Sequence, residues 1–223
     1  MNHYKTCVPV EARTIKVMSR DLSRALKVSD YAELRLDYLD PADIPDALKA
    51  ARKHMRKIVC TIRPKSEGGG EFSGGESSRE DLLVAAAEYR PFLLDVEHRS
   101  LSKSPRLRRR LSNADLLVSW HNGVTPGTGV LEKKVKEMAR FGGRIKMACK
   151  AKSKIDALRM IGLYAKCGDN RLISFGIGNR ASFSRITCMD LGSPYTYACI
   201  DRPFAPGQMR VSTIRQMDKL RFQ

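Results

Sequence analysis

The feature that most constrains the fold is a regular alternation, along the chain, of short apolar runs with segments of helical periodicity. Thr6 to Val10 is a compact apolar run suited to a strand, and Ile15, Met18 and Leu22 then recur at the spacing of one helix face. Similar units follow one another through the rest of the sequence. Parallel neighbouring strands need a crossover connection, which a helix supplies, so the alternation predicts an α/β protein with a parallel sheet.

About eight such units fit a chain of 223 residues, and they favour a closed (β/α)8 barrel, the TIM-barrel architecture. An open doubly wound sheet is the alternative. Strands are predicted at 6–10, 31–38, 57–63, 92–97, 116–121, 144–149, 171–178 and 195–200. Among the predicted helices, Ile155, Leu158 and Ile161 mark the one after the sixth strand, and Ile214 and Met217 mark the last. No linker divides the sequence, so we predict one domain, residues 1–223.

Composition places the chain among ordinary globular proteins, with 42% hydrophobic and 29% charged residues. No apolar run approaches the roughly 18 residues that span a bilayer, and the sequence does not open with a secretion-type segment, so we expect a cytoplasmic location and no membrane partner. Six cysteines are widely spaced, without a C-x-x-C pair or zinc-ligand spacing, and we expect reduced core residues. They are Cys7, Cys60, Cys149, Cys167, Cys188 and Cys199.

A net charge of +17 is the one unusual bulk property, and it indicates either nucleic acid or an anionic ligand as the partner. The basic residues are spread through the predicted helices, apart from a cluster at 106–110. We therefore favour a small anionic ligand and expect no nucleic-acid partner. A basic, inactive nucleic-acid-binding barrel stays as the alternative from a different functional class.

The predicted sixth strand carries a lysine in its centre. Because side chains alternate along a strand, Ile145 and Met147 share one face while Lys146 shares the other with Ala148. Burial disfavours the charged ammonium, and a neutral amine can attack a carbonyl to form a Schiff base. The alternative is a lysine that extends out of the strand end to solvent. Lys150 lies on the same face and is the rival nucleophile.

Charged side chains also alternate on the predicted second strand, where Glu33, Arg35 and Asp37 share one face. In a barrel the other face packs on helices, so these charges would line the interior. Buried charges are costly unless they are paired or bind a ligand. The pattern indicates either a ligand site or a structural ion-pair network.

Two further candidates lie at predicted strand ends, where barrel enzymes place their sites. Arg63 ends the third strand, and a glycine-rich loop at 65–75 follows it, either as a mobile lid or as a loose connection. His121 ends the fifth strand, and its imidazole is the natural proton carrier near neutral pH.

The stretch Gly176-Ile177-Gly178-Asn179-Arg180-Ala181 imitates a dinucleotide-binding fingerprint. It lies in the seventh unit rather than the first, and no acidic residue closes a second strand about twenty residues on, as that motif requires. We interpret it as a turn with close backbone approach and expect no cofactor.

Six motifs occur in order along the chain. They are Glu33-Leu34-Arg35-Leu36-Asp37, Arg63 with Glu67-Gly68-Gly69, Ser119-Trp120-His121, Lys146-Met147-Ala148, Ser184-Arg185 with Gly192-Ser193, and Ala205-Pro206-Gly207-Gln208. Together they resemble the ordered motif set of the type I 3-dehydroquinate dehydratase family. The resemblance runs from Cys7 to the final helix, and six motifs in the right order are far more specific than any one of them.

The resemblance implies a dehydratase that converts 3-dehydroquinate to 3-dehydroshikimate in the shikimate pathway, without a metal or diffusible cofactor and often as a homodimer. By the same resemblance, Lys146 forms the Schiff base, His121 is the general acid and base, and Glu67 lies near it. Substrate contacts are implied for Glu33, Arg35, Arg63, Arg185 and Gln208, the last two holding the carboxylate.

Phe204 departs from the family pattern, which commonly has a serine or threonine two positions before the proline of the final loop. Phenylalanine cannot donate that hydrogen bond, so we expect a changed substrate contact and loop closure at Phe204. The runner-up enzyme is a class I aldolase-like barrel, which shares the buried lysine but makes or breaks a C–C bond. The Ala-Pro-Gly-Gln loop and the arginines speak against it.

Overall fold

Strands and helices alternate along the computed structural model, which describes residues 3–69, 72–166 and 170–221. The strands are β1 Thr6–Glu11, β2 Tyr31–Arg35, β3 Ile58–Thr61, β4 Leu93–Glu97, β5 Leu116–Asn122, β6 Arg144–Lys150, β7 Leu172–Ile177, β8 Thr196–Cys199 and β9 Met209–Arg210. The α-helices are α1 Ile15–Val28, α2 Ile44–Ala51, α3 Glu76–Glu88, α4 His98–Lys103, α5 Pro105–Arg110, α6 Thr128–Ala139, α7 Lys154–Gly162, α8 Ser184–Asp190 and α9 Val211–Leu220.

By internal packing the chain divides into two compact units. The N-terminal unit comprises residues 9–119, and the C-terminal unit comprises residues 1–8 and 120–223. Strand order is β1-β2-β3-β4-β5 within the N-terminal unit, and β5-β6-β7 and β1-β8-β9 within the C-terminal unit. The strand pairs with a described register are parallel, as the alternation predicts. A single domain across residues 1–223 stays a prediction.

In the N-terminal unit, the strand register brings polar side chains into one row. Arg35 of β2 lies opposite Thr61 of β3, and Thr61 lies opposite Asp95 of β4. Glu97, two residues further along β4, lies opposite Ser119 of β5. Residues in register on parallel strands project to the same face, so the carboxyl ends of these strands present a continuous polar row.

In the C-terminal unit, the fingerprint-like stretch is a tightly packed turn, in agreement with its interpretation from sequence. A Cβ at Gly176 would lie 2.8 Å from the Cβ of Ala181. Gly178 has φ +143°, and a Cβ there would lie 2.8 Å from the carbonyl oxygen of Ala151. Both positions therefore need glycine because other parts of the backbone approach too closely. Ala151 and Ala181 pack with Ala157 of α7 in a small core cluster.

Several predicted strand ends are wrong in a way that matters for the site. The second strand ends at Arg35, and a 3-10 turn follows at Leu36–Tyr38, so Asp37 is not on the strand. β3 ends at Thr61, which leaves Arg63 two residues beyond it. The start of the glycine-rich loop is a 3-10 turn at Lys65–Glu67, closed by a 3.0 Å bond from the N–H of Glu67 to the carbonyl of Pro64.

The two helices marked by apolar residues in the sequence are present, but only some of those residues are buried, among them Ile161 and Ile214. Ile155 and Leu158 of α7 are 62% and 52% exposed, while Ala157 and Met160 are buried. In α9, Met217 is 39% exposed and the neighbouring Asp218 is buried, because its carboxylate accepts the backbone N–H of Tyr4 at 3.0 Å.

The cysteine prediction is confirmed for the five cysteines among the described residues, which form no disulfide and are buried. Cys167 lies outside the described residues. In the described part of the chain, none of the helices combines the length and apolar character needed to cross a membrane.

Candidate active site

Lys146 is buried at the third position of β6. Only 4% of its surface is exposed, so the alternative of a lysine extending to solvent is wrong. Its Nζ lies 4.2 Å from the ring centroid of Tyr197 on β8. An aromatic face accepts a cation and also forms an apolar wall around the amine. The rival Lys150 is the last residue of β6 and is exposed, so it lacks this environment.

His121 is the sixth residue of β5 and is half-buried. β5 and β6 are neighbours in the strand order of the C-terminal unit. The imidazole and the Lys146 amine are therefore carried by adjacent parallel strands, which hold their backbones more rigidly than loops do.

Arg185 of α8 is a buried cation, with 2% of its surface exposed. Its guanidinium carbon lies 4.2 Å from the ring centroid of Phe175. Its Nε has no hydrogen-bond acceptor, and no carboxylate among the described residues forms an ion pair with it. Burial lowers the pKa of Arg185 to about 10. A buried guanidinium without a protein anion is a site prepared for an anionic ligand.

The final loop of the C-terminal unit is held by a bond to the turn after β7 and by a bond within the loop. The N–H of Gly178 donates to the carbonyl of Pro206 at 3.0 Å, and the Gln208 side-chain oxygen accepts the backbone N–H of Phe204 at 2.8 Å. Phe204 as a whole is 46% exposed. In this arrangement the Gln208 oxygen closes the loop, and its amide NH₂ group keeps its donors for a ligand.

In the N-terminal unit, Arg63 is almost fully buried and makes three strong contacts. Its Nη2 donates to Asp95 at 2.6 Å, and its Nη1 donates to Glu97 at 2.8 Å and to Ser119 at 2.6 Å. Burial opposes the charge, but Asp95 and Glu97 outweigh that effect and raise the pKa of Arg63. Arg63 is therefore a fixed cation at the carboxyl end of these strands.

Arg35 and Glu33 also find protein partners within this unit. The Arg35 guanidinium donates two hydrogen bonds to Asp37, at 2.9 and 2.7 Å, and a third to Glu11 at 3.1 Å. Glu33 accepts the Thr61 hydroxyl at 3.1 Å. The structural ion-pair network, one of the two interpretations of this strand, thus describes the Arg35–Asp37 pair.

Glu67 ends the 3-10 turn and is half-buried. It lines a cavity of about 490 Å³ in the N-terminal unit, together with Glu97 and Ser100. The sequence-predicted residues thus divide between the two units: Lys146, His121, Arg185, Phe204 and Gln208 in one, and Glu33, Arg35, Arg63 and Glu67 in the other.

Sequence reasoning missed four residues that complete these contacts. Asp95 and Glu97 alternate on the fourth strand in the same pattern as Glu33 and Arg35, so that signal was present. Tyr197 had only its place on the eighth strand to indicate it. Arg79 lies in a helix with many charged residues, where a charge normally indicates a solvated face, yet it is 1% exposed.

Comparison with solved structures identifies the class of fold. The chain matches 3-dehydroquinate dehydratase from Geobacillus kaustophilus with TM-score 0.87 and 24% identity, over 98% of this chain and 91% of that one. It matches the enzyme from Aquifex aeolicus with TM-score 0.81 and 26% identity, over 98% and 99%. The fold is that of the (β/α)8 barrel, as the alternation of strands and helices predicts.

The sequence comparisons identify the family. The model of type I 3-dehydroquinase matches residues 6–223. The 3-dehydroquinate dehydratase of Dehalococcoides mccartyi is 35% identical over 202 residues, which cover 87% of this chain and 87% of that protein. The chain belongs to the type I 3-dehydroquinase family.

Proposed function

We propose that the chain dehydrates 3-dehydroquinate to 3-dehydroshikimate through a Schiff base on Lys146. The observation that carries this assignment is a buried strand lysine against an aromatic face, at the position of the Lys-Met-Ala motif. Family membership supports the reaction, and it speaks against both the aldolase-like enzyme and the inactive nucleic-acid-binding barrel.

The chemistry follows from the electron demand of the reaction. A proton next to a ketone is weakly acidic, and conversion of the ketone to a protonated imine provides an electron sink. Lys146 attacks the carbonyl carbon, and loss of water gives the imine. A base then removes the adjacent proton, the hydroxyl leaves as water, and hydrolysis frees the enone and the amine. No metal or diffusible cofactor is needed, because the imine takes up the electrons.

We assign the proton transfers to His121. One imidazole can take the proton next to the imine and return a proton to the departing hydroxyl, since its ordinary pKa lies near neutrality. Glu67 is assigned to the orientation of this histidine, as the family resemblance implies.

We assign the substrate carboxylate to Arg185 and to the amide NH₂ group of Gln208. A guanidinium presents two N–H groups to two carboxylate oxygens, and Arg185 has no protein anion that competes for them. Phe204 closes the loop through its backbone N–H rather than through a side-chain hydroxyl. The ring hydroxyls are assigned to Glu33, Arg35 and Arg63, whose hydrogen bonds to protein partners hold them in place.

We also propose a homodimer in the cytoplasm, without nucleic acid as a partner. The cysteines of the described residues form no disulfide, which fits a reducing compartment, and the family resemblance supports the dimer. Sedimentation equilibrium of the purified protein tests the oligomeric state.

Trapping the imine tests the assignment. Incubation with 3-dehydroquinate and borohydride is expected to add one reduced substrate-derived group at Lys146, identified by peptide mass spectrometry. Lys146→Met should give no adduct and no enone absorbance. The matched variant Lys150→Met removes the exposed lysine of the same strand and should keep both. An adduct at any other residue, or its persistence in Lys146→Met, would contradict the proposal.

A further inference from the structure

A chain of buried charges in the N-terminal unit extends well beyond the predicted site residues. Its members alternate in sign from Asp95 through Arg63, Glu97 and Arg79 to Glu76. The first four are at most 4% exposed, and only Glu76, at the far end, has a largely exposed side chain. Burying four charges is costly unless each contact is well formed, so their precise arrangement calls for an explanation.

Glu97 is the centre of this chain because each of its oxygens accepts from a different arginine. Oε1 accepts from Arg63 Nη1 at 2.8 Å, and Oε2 accepts from Arg79 Nη1, also at 2.8 Å. The rotation of this carboxylate is fixed from both sides. Moving one arginine therefore changes how Glu97 presents its other oxygen.

Arg79 also fixes the backbone next to Arg63. The same Nη1 atom donates to the carbonyl of Ile62 at 2.8 Å, one residue before Arg63. Its remaining N–H groups are anchored by Glu76, at 2.9 and 2.7 Å, and by Ser100 at 2.6 Å. These bonds hold the guanidinium of an α3 residue against the segment that leaves β3.

We propose that Arg79 is a positioning residue for the reaction: through Glu97 and the Ile62 carbonyl it holds the Arg63 guanidinium in the geometry that binds substrate. This inference rests on the proposed role of Arg63. Arg79 does not itself touch substrate, so its effect is on substrate binding rather than on the bond-breaking steps.

The electrostatics of Glu97 give the proposal a specific signature. Burial raises the pKa of Glu97, Arg63 and Arg79 oppose that effect, and Asp95 on the same strand adds to it. Removing Arg79 takes away one of the two opposing cations, so the pKa of Glu97 rises further. Once protonated, Glu97 has no negative charge with which to hold the Arg63 guanidinium. Substrate binding is therefore lost as the pH falls through the new pKa of Glu97.

Arg79→Met is the test variant, because methionine keeps the length and apolar contacts of the stem without the charge. Its KM is expected to rise about tenfold while kcat stays within about threefold. The acid limb of kcat/KM, followed between about pH 6 and 9, should move to a higher pH than in the wild type. Arg79→Lys restores a cation and should return the limb toward the wild-type position.

Arg106→Met is the matched control. It removes an exposed arginine of α5 that pairs at 2.8 Å with Asp81 of α3, the helix that carries Arg79, without contact to Glu97. Its KM and pH profile should equal those of the wild type. If the pH profile of kcat/KM for Arg79→Met keeps the wild-type shape, whatever the absolute value of kcat/KM, the positioning role is overturned.

If circular dichroism shows that Arg79→Met does not fold, Glu97→Gln is the second test variant. The neutral side chain mimics protonated Glu97, so a KM raised at every pH is expected, while His121 keeps its own acid limb in kcat/KM. A wild-type KM across the pH range overturns the proposal. Wild-type protein without dehydration or imine trapping would instead refute the proposed function, and the positioning role with it.

Discussion

Arg185 and Arg79 are both buried arginines, but only Arg79 has carboxylate partners in the described part of the chain. This difference distinguishes an arginine that binds a ligand from one that stabilises the structure. Arg79 contacts Glu76 and Glu97, whereas Arg185 has no carboxylate partner among the described residues and its Nε lacks an acceptor. A buried cation without an anion opposes folding and is retained where a ligand supplies the anion. We therefore expect the two arginines to respond oppositely to the same substitution.

Arg185→Met should leave the protein as stable as the wild type or more stable, while substrate binding is lost. A pKa lowered to about 10 by burial corresponds to a cost of about 3 kcal/mol for the charged guanidinium. Removing the charge is expected to raise the free energy of unfolding, measured in urea, by up to that amount. KM should rise by about 100-fold, since a buried charge pair with the substrate is lost.

The lowered pKa of Arg185 also sets how this stability difference depends on pH. For a base whose pKa is lowered by folding, the cost is fully present below the folded pKa and disappears as the pH rises through it. The stability difference between Arg185→Met and the wild type should thus be constant between about pH 6 and 9.

Arg79→Met is the comparison variant. Its free energy of unfolding is expected to fall by about 3–5 kcal/mol, because the substitution leaves Glu97 buried without one partner. An equal loss of unfolding free energy in Arg185→Met would show that Arg185 stabilises the fold and is not reserved for a ligand.

At the scale of elements, the final loop depends on a close approach of two backbone segments. Gly207 has φ +82°, and a Cβ there would overlap the carbonyl oxygen of Gly178. Any side chain at this position is strained by its backbone angle and also pushes the loop away from the turn after β7. Because Gln208 is the next residue, the displacement acts directly on the proposed carboxylate contact.

Gly207→Ala should therefore raise KM by about tenfold or more, while Lys146 is still trapped by borohydride with saturating substrate. Gly129→Ala is the control, because no atom lies within 4 Å of a Cβ at that position in α6 and its backbone conformation is ordinary. Stability of the control should change by less than about 1 kcal/mol. Steady-state kinetics of both variants measure the difference, and an unchanged KM in Gly207→Ala would contradict the role of the loop.

The elements also show what the sequence could and could not predict. The apolar spacing of Ile155, Leu158 and Ile161 predicted the helix α7, but only Ile161 of the three is buried. The helix begins at a capping box of Ser153 and Asp156, and its small Ala157 packs against Ala151 and Ala181. Periodicity predicts that a helix exists, but the face that it buries depends on distant partners.

At the scale of the whole molecule, the order of strands and helices was predictable because a parallel sheet leaves few alternatives to regular alternation. Lys146, His121 and Arg63 could be chosen as candidates because alternation and the predicted strand ends placed them at one edge of the sheet, and their roles stay predictions. The network around Arg79 was not, since its partners come from residues 62, 76, 97 and 100 and no local pattern joins them. Such long-range contacts become visible only in three dimensions.

The net charge of +17 is a property of the whole molecule that no single contact explains, and it acts on any anionic substrate before binding. A positive field raises the local concentration of an anion and its rate of encounter, and salt screens this effect within about 10 Å at 0.1 M. We expect kcat/KM to fall by about three- to tenfold as NaCl rises from about 20 to 500 mM, with kcat nearly unchanged.

Two controls separate this field from the local site. An equal osmolality of sucrose should leave kcat/KM nearly unchanged, because it screens no charge. Arg185→Met should lower kcat/KM yet keep almost the same relative salt dependence, since one of 41 basic residues is removed and the long-range field remains. If the dependence disappeared in that variant, the attraction would come from Arg185 alone. If kcat fell in parallel with kcat/KM, salt would act on the chemical steps rather than on substrate capture.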